Sequence, residues 1–253
     1  MFVKRHLPDT IKTTPAFKSK NYKQALIDGF LSIDKQLEKK EGISEIIDLY
    51  EHSPKKQIPK EELPEPQMLA HYIGCTACVA LITKTEIYVG NVGDSRSVLS
   101  KKGIAINMSE DHKPLLDTEK KRIEKAGGFI EDERVNGMLN LSRCLGDLDY
   151  KQNKKLKEEE QIISGYPDVK VEKISNETDF LIIACDGIWD CLTSQGAVDY
   201  LKDRLIKPTA KPAKISTVLE GMLDHICAKD VESSDGLGCD NMTALAITFV
   251  PHK

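Results

Sequence analysis

Aspartates that follow apolar segments are the residues of this sequence best placed to do chemistry. Asp94 follows VGNVG, Asp186 and Asp190 belong to LIIACDGIWD, and Asp240 lies in GLGCDNMTALAI. Turn chemistry explains each one alone, because Asp-Gly, Gly-Asp-Ser and Asp-Asn are common turn formers. Considered together they favour a shared site, because carboxylates that converge at the ends of buried strands repel one another unless a cation neutralises them.

A hard divalent cation suits such a group of side chains. Short carboxylates and water are the ligands that Mg²⁺ and Mn²⁺ use in proteins. Two such ions about 3.5–4 Å apart can deprotonate a water for attack on phosphorus. The residues alone leave two hypotheses open, namely independent turns or half of a dinuclear metal site.

Composition limits the class of protein. The 253 residues are 40% apolar and 30% charged, and the formal charge of −4 gives no basic field for nucleic acid. No apolar run approaches the roughly 20 residues of a membrane helix, and MFVKRHLPDT lacks the apolar core of a signal peptide. Seven scattered cysteines are typical of reduced thiols. We expect a cytoplasmic or nuclear monomer with no membrane span and no nucleic-acid partner.

Hydrophobic periodicity predicts the elements that must position the aspartates. Residues 21–38 carry apolar side chains at helical spacing, and 51–68, with four prolines, is predicted to be a surface loop. Four β-rich runs between 76 and 108 predict an antiparallel meander. A short helix should follow, with Asp117 or Thr118 as its N-cap and a glycine stop, and then a strand pair at about 129–141.

The second half of the chain repeats this grouping. DVKVEKI, DFLIIAC and NMTALAITFV predict strands, and TSQGAVDYLKDRL and PAKISTVLEGMLDHICAKD predict helices. Strands therefore occur in runs with helices grouped between them. This order predicts an α+β fold of antiparallel sheets covered by helices rather than a parallel doubly wound sheet.

Eight motifs also resemble a known family. GCTACVALI, VGDSR, SEDHKP, EKKRIEKAGG, RVNGMLNLSRCLGD, GYPDV, LIIACDGIWD and CDNMTALAI occur in the order and style of the metal-dependent serine/threonine protein phosphatases of type 2C, from about residue 20 to the end. The resemblance implies two antiparallel sheets in a sandwich flanked by helices, with a metal centre at one edge. It also implies hydrolysis of phosphoserine and phosphothreonine in phosphoprotein substrates by a metal-bound hydroxide.

The resemblance assigns roles residue by residue. Asp186 resembles the metal ligand that opens the family's DGxWD motif, and Asp240 resembles the ligand of its DN motif. Asp94 and Asp190 resemble the pair that holds a further, weaker metal. The cofactors implied are two catalytic Mg²⁺ or Mn²⁺ ions and a third, accessory one.

Some of the family's motifs do not occur in these 253 residues. They are the Glu-Asp strand motif, an upstream arginine that grips phosphate, and DGHGG, whose Asp bridges both metals. Asp28 precedes a glycine but lies in the first amphipathic helix, so it is no substitute. We expect a single domain over 1–253, N-terminally truncated and with the first strands of the sandwich missing. The alternatives are a domain completed by another segment and a catalytically inactive pseudophosphatase that acts as a binding module.

Other polar residues are assigned structural roles. Arg96 and Arg143 could touch a phosphopeptide, but fork hydrogen bonds to neighbouring carboxylates or carbonyls are favoured. Asp147 is predicted to pin a turn, and Trp189 to anchor the loop that carries Asp186. His112 is interpreted as a loop or packing histidine, and no histidine has a catalytic context.

Overall fold

The computed structural model describes residues 1–53, 65–205 and 214–249. The helices of those ranges are α1 Phe2–Thr13, α2 Pro15–Lys18, α3 Tyr22–Leu37, α4 Lys40–Glu51, α5 Leu69–Tyr72, α6 Asp117–Lys125, α7 Asp186–Trp189, α8 Ser194–Leu205 and α9 Ile215–Ile226. The strands are β1 Gly74–Cys75, β2 Ala77–Ile82, β3 Glu86–Val92, β4 Arg96–Lys101, β5 Ile104–Asn107, β6 Ile130–Glu131, β7 Arg134–Val135, β8 Leu145–Gly146, β9 Asp168–Lys173, β10 Thr178–Ala184 and β11 Ala244–Thr248. The predicted α+β class, with antiparallel sheets and helices, is confirmed.

The chain divides into two compact units. The first contains Met1–Ala77, Gly90–Gly93 and His112–Val169, and the second contains Cys78–Val89, Asp94–Asp111 and Lys170–Lys253. Over the ranges that the structure describes, no helix is long and apolar enough to cross a bilayer.

The second unit is built around a four-stranded sheet in the order β11-β10-β4-β5, antiparallel throughout. Its central strand β10 is buried on both faces because successive side chains point in opposite directions. Phe180 and Ile182 pack with residues of α8 and α9, whereas Leu181 packs with Ile87 and Val89 of β3. This packing buries β10 as far as Ala184, the residue before Cys185.

The prediction of a continuous meander is wrong at one point. β3 belongs to a three-stranded sheet of order β2-β3-β9, whereas β4 pairs with β5 and β10. Gly93, between these strands, has a φ of +97°, a conformation that glycine adopts readily and other residues rarely do. The chain therefore leaves one sheet and enters the other at the turn that carries Asp94.

The first unit contains helices that cross closely. In α3 the apolar stripe buries Leu26, Phe30 and Ile33, as predicted for residues 21–38. A Cβ placed on Gly29 would lie 2.4 Å from the Cγ1 atom of Ile11 in α1, so the two helices meet at this glycine. The Asp28-Gly29 pair therefore lies within a helix, as the sequence indicated, and Gly29 lies at a helix crossing, which it did not indicate. α4 was not predicted.

Local boundaries differ in detail from the predictions. The short helix α6 ends at Lys125, and Gly127, with a φ of +94°, follows its C-cap as the expected glycine stop. Its N-cap is Leu116, and no side chain caps it. Thr193 caps the predicted helix α8, since its hydroxyl accepts the N–H of Gly196 at 3.0 Å. The predicted loop at 51–68 falls largely on 54–64, outside the described residues, and a 3₁₀ turn occupies Pro66–Met68.

Candidate metal centre

Strand register brings three of the four aspartates to one end of the four-stranded sheet. Ala184 at the end of β10 pairs with Ala244 at the start of β11 and with Arg96 at the start of β4. Asp186 lies just beyond the first of these, and Asp240 and Asp94 lie just before the other two. In an antiparallel sheet the end of one strand is level with the starts of its neighbours. The loops that carry these carboxylates are therefore adjacent.

The fourth aspartate joins them through a single turn of helix. Asp186 begins α7 and Asp190 follows its last residue, with the Asp190 N–H donating to the Asp186 carbonyl at 2.8 Å. Residues four apart lie on the same face of a helix. Trp189 anchors the turn, since its indole N–H donates to the Ala184 carbonyl at 2.8 Å and its side chain is buried. The predicted anchoring role of Trp189 is thus visible as a contact.

The Asp186 and Asp240 turns are in direct contact. A Cβ on Gly187 would lie 2.6 Å from the Asn241 carbonyl oxygen and 3.3 Å from the Cβ atom of Asp240. Cys185 closes the same contact, because its backbone N–H donates to the Thr243 carbonyl at 3.2 Å. Glycine at 187 is therefore required by close approach, since any side chain would push the two carboxylate-bearing turns apart.

The carboxylates influence one another electrostatically. Burial raises the pKa of Asp186, and the negative charges of Asp94, Asp240 and Asp190 raise it further. The N–H of Gly187, 3.0 Å from Asp186 Oδ1, acts in the opposite direction. A raised pKa of this origin means that Asp186 carries its charge at a cost, which a nearby cation would remove.

These side chains differ in how accessible they are. Asp94 is only 3% exposed, Asp186 is half-buried, and Asp190 and Asp240 are exposed. Their oxygen-only donor chemistry fits a hard divalent cation. Within the described ranges, however, no three His, Cys, Asp or Glu side chains already form a group that could hold a metal ion. The arrangement fits a cation as a partial set of ligands.

Arg96 lies at the edge of this cluster. Its Nε and Nη2 atoms donate to the two oxygens of Asp111 at 2.9 and 2.7 Å, and its Nη1 donates to the Ser194 hydroxyl at 3.3 Å. Its guanidinium carbon lies 5.2 Å from the centre of the Trp189 ring. The hydrogen bond with Asp111 raises the pKa of Arg96, and the charge of Asp190 adds to this effect. The sequence favoured such a bracing role but did not identify Asp111 as the partner.

Arg143 has a comparable role in the first unit. Its Nη2 donates to Glu119 Oε1 at 2.6 Å and its Nη1 donates to Asp168 Oδ1 at 3.0 Å. Glu119 is 1% exposed and also accepts from Arg122 at 2.5 Å and from the Ser142 hydroxyl at 2.6 Å. Burial alone would raise the pKa of Glu119, but these partners outweigh it and lower the pKa to about 2. The preferred interpretation of Arg143 as a brace agrees with these contacts.

His112 is a buried packing residue whose tautomer is set by its hydrogen-bond partners. The Gly93 N–H donates to Nδ1 at 3.0 Å, so this nitrogen carries the lone pair. The other ring nitrogen, Nε2, therefore carries the proton and donates to Asp168 Oδ2 at 3.1 Å. The hydrogen bond from His112 and the charge of Arg143 lower the pKa of Asp168 despite its partial burial.

Asp147 occupies a turn, as predicted. Its φ of +47° lies in the left-handed region, and its carboxylate accepts from the Cys144 thiol at 3.0 Å. Burial raises the pKa of Asp147. A Cβ on Gly74 would lie 1.9 Å from the Asp147 Oδ2 atom, so that glycine provides the space for the carboxylate.

Comparison with known proteins agrees with these features. The sequence profile described as "Protein phosphatase 2C" matches residues 1–235. "Probable protein phosphatase 2C 6" of Paramecium tetraurelia is 42% identical over 249 residues, which cover 98% of this chain and 78% of that protein. "Protein phosphatase 2C homolog 2" of Hypocrea jecorina is 40% identical over 253 residues, all of this chain but 51% of that protein.

A solved structure shares the fold. The serine-threonine phosphatase 2C of Toxoplasma gondii superposes with a TM-score of 0.67 and 21% identity, over 98% of this chain and 79% of that one. The chain spans about half the length of several curated relatives, including an Arabidopsis thaliana protein covered to 52%. The chain belongs to the protein phosphatase 2C family. Metal dependence is a general property of this family.

Proposed function

We propose that this chain carries part of the catalytic site of a metal-dependent protein serine/threonine phosphatase. The observation that supports the proposal is the convergence of Asp94, Asp186 and Asp240 at one sheet end, with Asp190 one helical turn away. The influence of the other three charges on Asp186 gives the group a reason to take up a divalent cation. Phosphoserine and phosphothreonine side chains of proteins are the proposed substrates.

Each carboxylate has a proposed role. Asp186 and Asp240, whose turns are in contact, would hold Mg²⁺ or Mn²⁺ for catalysis. Asp190 and Asp94 would serve an accessory ion, and the exposure of Asp190 makes it the more accessible of the two. Bound divalent ions supply Lewis-acid activation of water and neutralise phosphate charge. The protein's part is to hold the oxygens in place on the turns next to β4, β10 and β11.

The proposed ligand set is incomplete within these 253 residues. The dinuclear site of the family uses a carboxylate shared by both ions. The resemblance implies that this carboxylate comes from a DGHGG motif, which does not occur in the sequence. We infer that this chain is an incomplete catalytic domain that gains full activity when another segment supplies that residue. The competing hypothesis is a binding module of the same fold that does not turn over substrate.

Hydrolysis of a phosphothreonine peptide with Mn²⁺ tests the proposal. We expect weak turnover by this chain and higher turnover by any longer product of the same reading frame, abolished in both by Asp186→Asn or Asp240→Asn. Asp224→Asn, an exposed aspartate of α9, is the matched control and should leave turnover unchanged. Absence of metal-dependent turnover in the longest product would refute the enzyme and leave the binding module. Preference for a small phosphate ester would refute the protein substrate.

A further inference from the structure

Arg96 joins three segments that surround the acidic cluster. Its side chain extends from the start of β4 to Asp111, which follows β5, and to Ser194 at the start of α8. Its third neighbour is the face of the Trp189 ring. The side chains of Arg96 and Asp111 are 22% and 18% exposed, so the ion pair is largely shielded from water.

The Trp189 contact connects this ion pair to the proposed ligands. Trp189 is the last residue of α7, whose first residue is Asp186, and Asp190 follows it directly. A cation over an indole face is attracted by the ring, more strongly where water is excluded. The two hydrogen bonds to Asp111 fix the plane of the Arg96 guanidinium. The Trp189 ring packs against that guanidinium.

We propose that Arg96 is a positioning residue, one that holds the Asp186–Asp190 turn in the geometry that binds a divalent cation. The inference rests on the proposed function, because it assumes that these aspartates are ligands. Arg96 touches neither substrate nor cation in this scheme, and it acts through the Trp189 ring and the α8 start. Losing a group that hydrogen-bonds directly to a metal ligand typically lowers affinity about 10–100-fold. Arg96 acts one residue further away, through Trp189, so the lower end of that range is expected.

Replacing Arg96 by lysine tests the effect of its geometry separately from the effect of its charge. Arg96→Lys keeps the positive charge beside Asp190 but loses the planar fork to Asp111 and the stacked contact with Trp189. Removing the charge, in contrast, would strengthen the attraction of the cluster for any cation. A weaker cation affinity in the lysine variant is therefore the result of lost positioning.

The chain offers a direct probe, because Trp189 is its only tryptophan. Mn²⁺ is paramagnetic and quenches a nearby indole, so the midpoint of quenching reports the affinity of the cluster. Mg²⁺, which does not quench by this route, should compete and restore the emission. The probe used is Mn²⁺ alone, with the melting temperature measured in parallel.

Arg204→Lys is the matched control. Arg204 lies over the Tyr200 ring at 3.6 Å and donates to the Tyr200 carbonyl at 3.1 Å, so the same substitution removes the same kind of contact. It follows Ser194 by ten residues of α8, about 15 Å along the helix. We expect Arg96→Lys to raise the Mn²⁺ midpoint at least about tenfold and to shift the Trp189 emission. Arg204→Lys should do neither.

Asp111→Glu gives a second route to the same answer, because it keeps the negative charge beside Arg96. Its side chain is one methylene longer and displaces the fork that Asp111 makes with the guanidinium, so the Mn²⁺ midpoint should rise as in Arg96→Lys. If Arg96→Lys does not fold, Asp111→Glu carries the test. A lower melting temperature with an unchanged midpoint would show a merely structural role and overturn the inference. Saturable quenching of wild type, with midpoints in both variants that equal the wild-type midpoint, would overturn the inference alone, whereas no saturable quenching of wild type would overturn the proposed metal site as well.

Discussion

Replacing Glu119 by glutamine should destabilise the chain by about 3 kcal/mol at neutral pH. The Glu119 carboxylate is 1% exposed and accepts from Arg122, Arg143 and Ser142. Lowering its pKa from 4.5 to about 2 corresponds to roughly 3 kcal/mol of stability. The same substitution leaves two buried guanidinium groups without their shared charge, for which losses of about 3–5 kcal/mol are typical.

The sign of the pH dependence follows from the lowered pKa. A carboxylate whose folded pKa lies below its unfolded value stabilises fully above the unfolded pKa, here 4.5, and loses this contribution as the pH falls toward about 2. The difference in unfolding free energy between wild type and Glu119→Gln should therefore be largest above pH 5. It should shrink steadily between pH 4.5 and pH 2.

Urea unfolding at a series of pH values measures this difference. Glu124→Gln is the matched control, because Glu124 belongs to the same helix but pairs with Lys120 at 4.0 Å with its side chain 54% exposed. It should change stability by less than about 0.5 kcal/mol. Equal effects of the two substitutions, or a Glu119→Gln effect that stays constant from pH 7 to pH 3, would refute the assignment.

Three further outcomes are expected. His112→Ala should lower the free energy of unfolding in urea by about 1–3 kcal/mol, because it leaves the Gly93 N–H without its partner. His52→Ala, at an exposed site, should lower it little, and similar losses in the two variants would contradict the role of His112. Gly187→Ala should weaken Mn²⁺ binding by forcing the Asp186 and Asp240 turns apart, and unchanged binding would count against their contact. Gly221→Ala in α9, where a Cβ would meet only the Tyr200 hydroxyl at 3.3 Å among the described residues, should leave binding unchanged. In alkylation at pH 8 followed by mass mapping, the exposed Cys227 and Cys239 should react before Cys144 and Cys78. Desolvation raises the pKa of both Cys144 and Cys78, that of Cys78 to about 12, so early labelling of Cys78 would contradict its raised pKa.

The acidic turns could be located from sequence because strand ends have local signals. The apolar run before Asp186 and the apolar run after Asp240 fix where β10 and β11 stop and start, and these boundaries determine which residues reach the sheet end. The helix α3 was predicted for the same reason, since its apolar spacing is regular over four turns.

Long-range pairing has no comparable local signal. Glu119 lies in DTEKKRIEK, which has the charge pattern of an exposed helix. It is nevertheless buried, and it pairs with Arg122 and with Arg143, which lies 24 positions further along the chain. The separation of β3 and β4 into different sheets depends on which strands pair later in the chain, and the Asp111 partner of Arg96 depends on that pairing. Such contacts follow from tertiary structure and not from periodicity.

Calorimetric titration of Mn²⁺ into this chain tests the shared carboxylate site most directly. If Asp186 and Asp240 meet at a cation, wild type should bind Mn²⁺ with Mg²⁺ in competition, and Asp186→Asn and Asp240→Asn should each abolish that heat while Asp224→Asn preserves it. Wild-type binding that survives both substitutions unchanged, or no binding in wild type, would contradict the account.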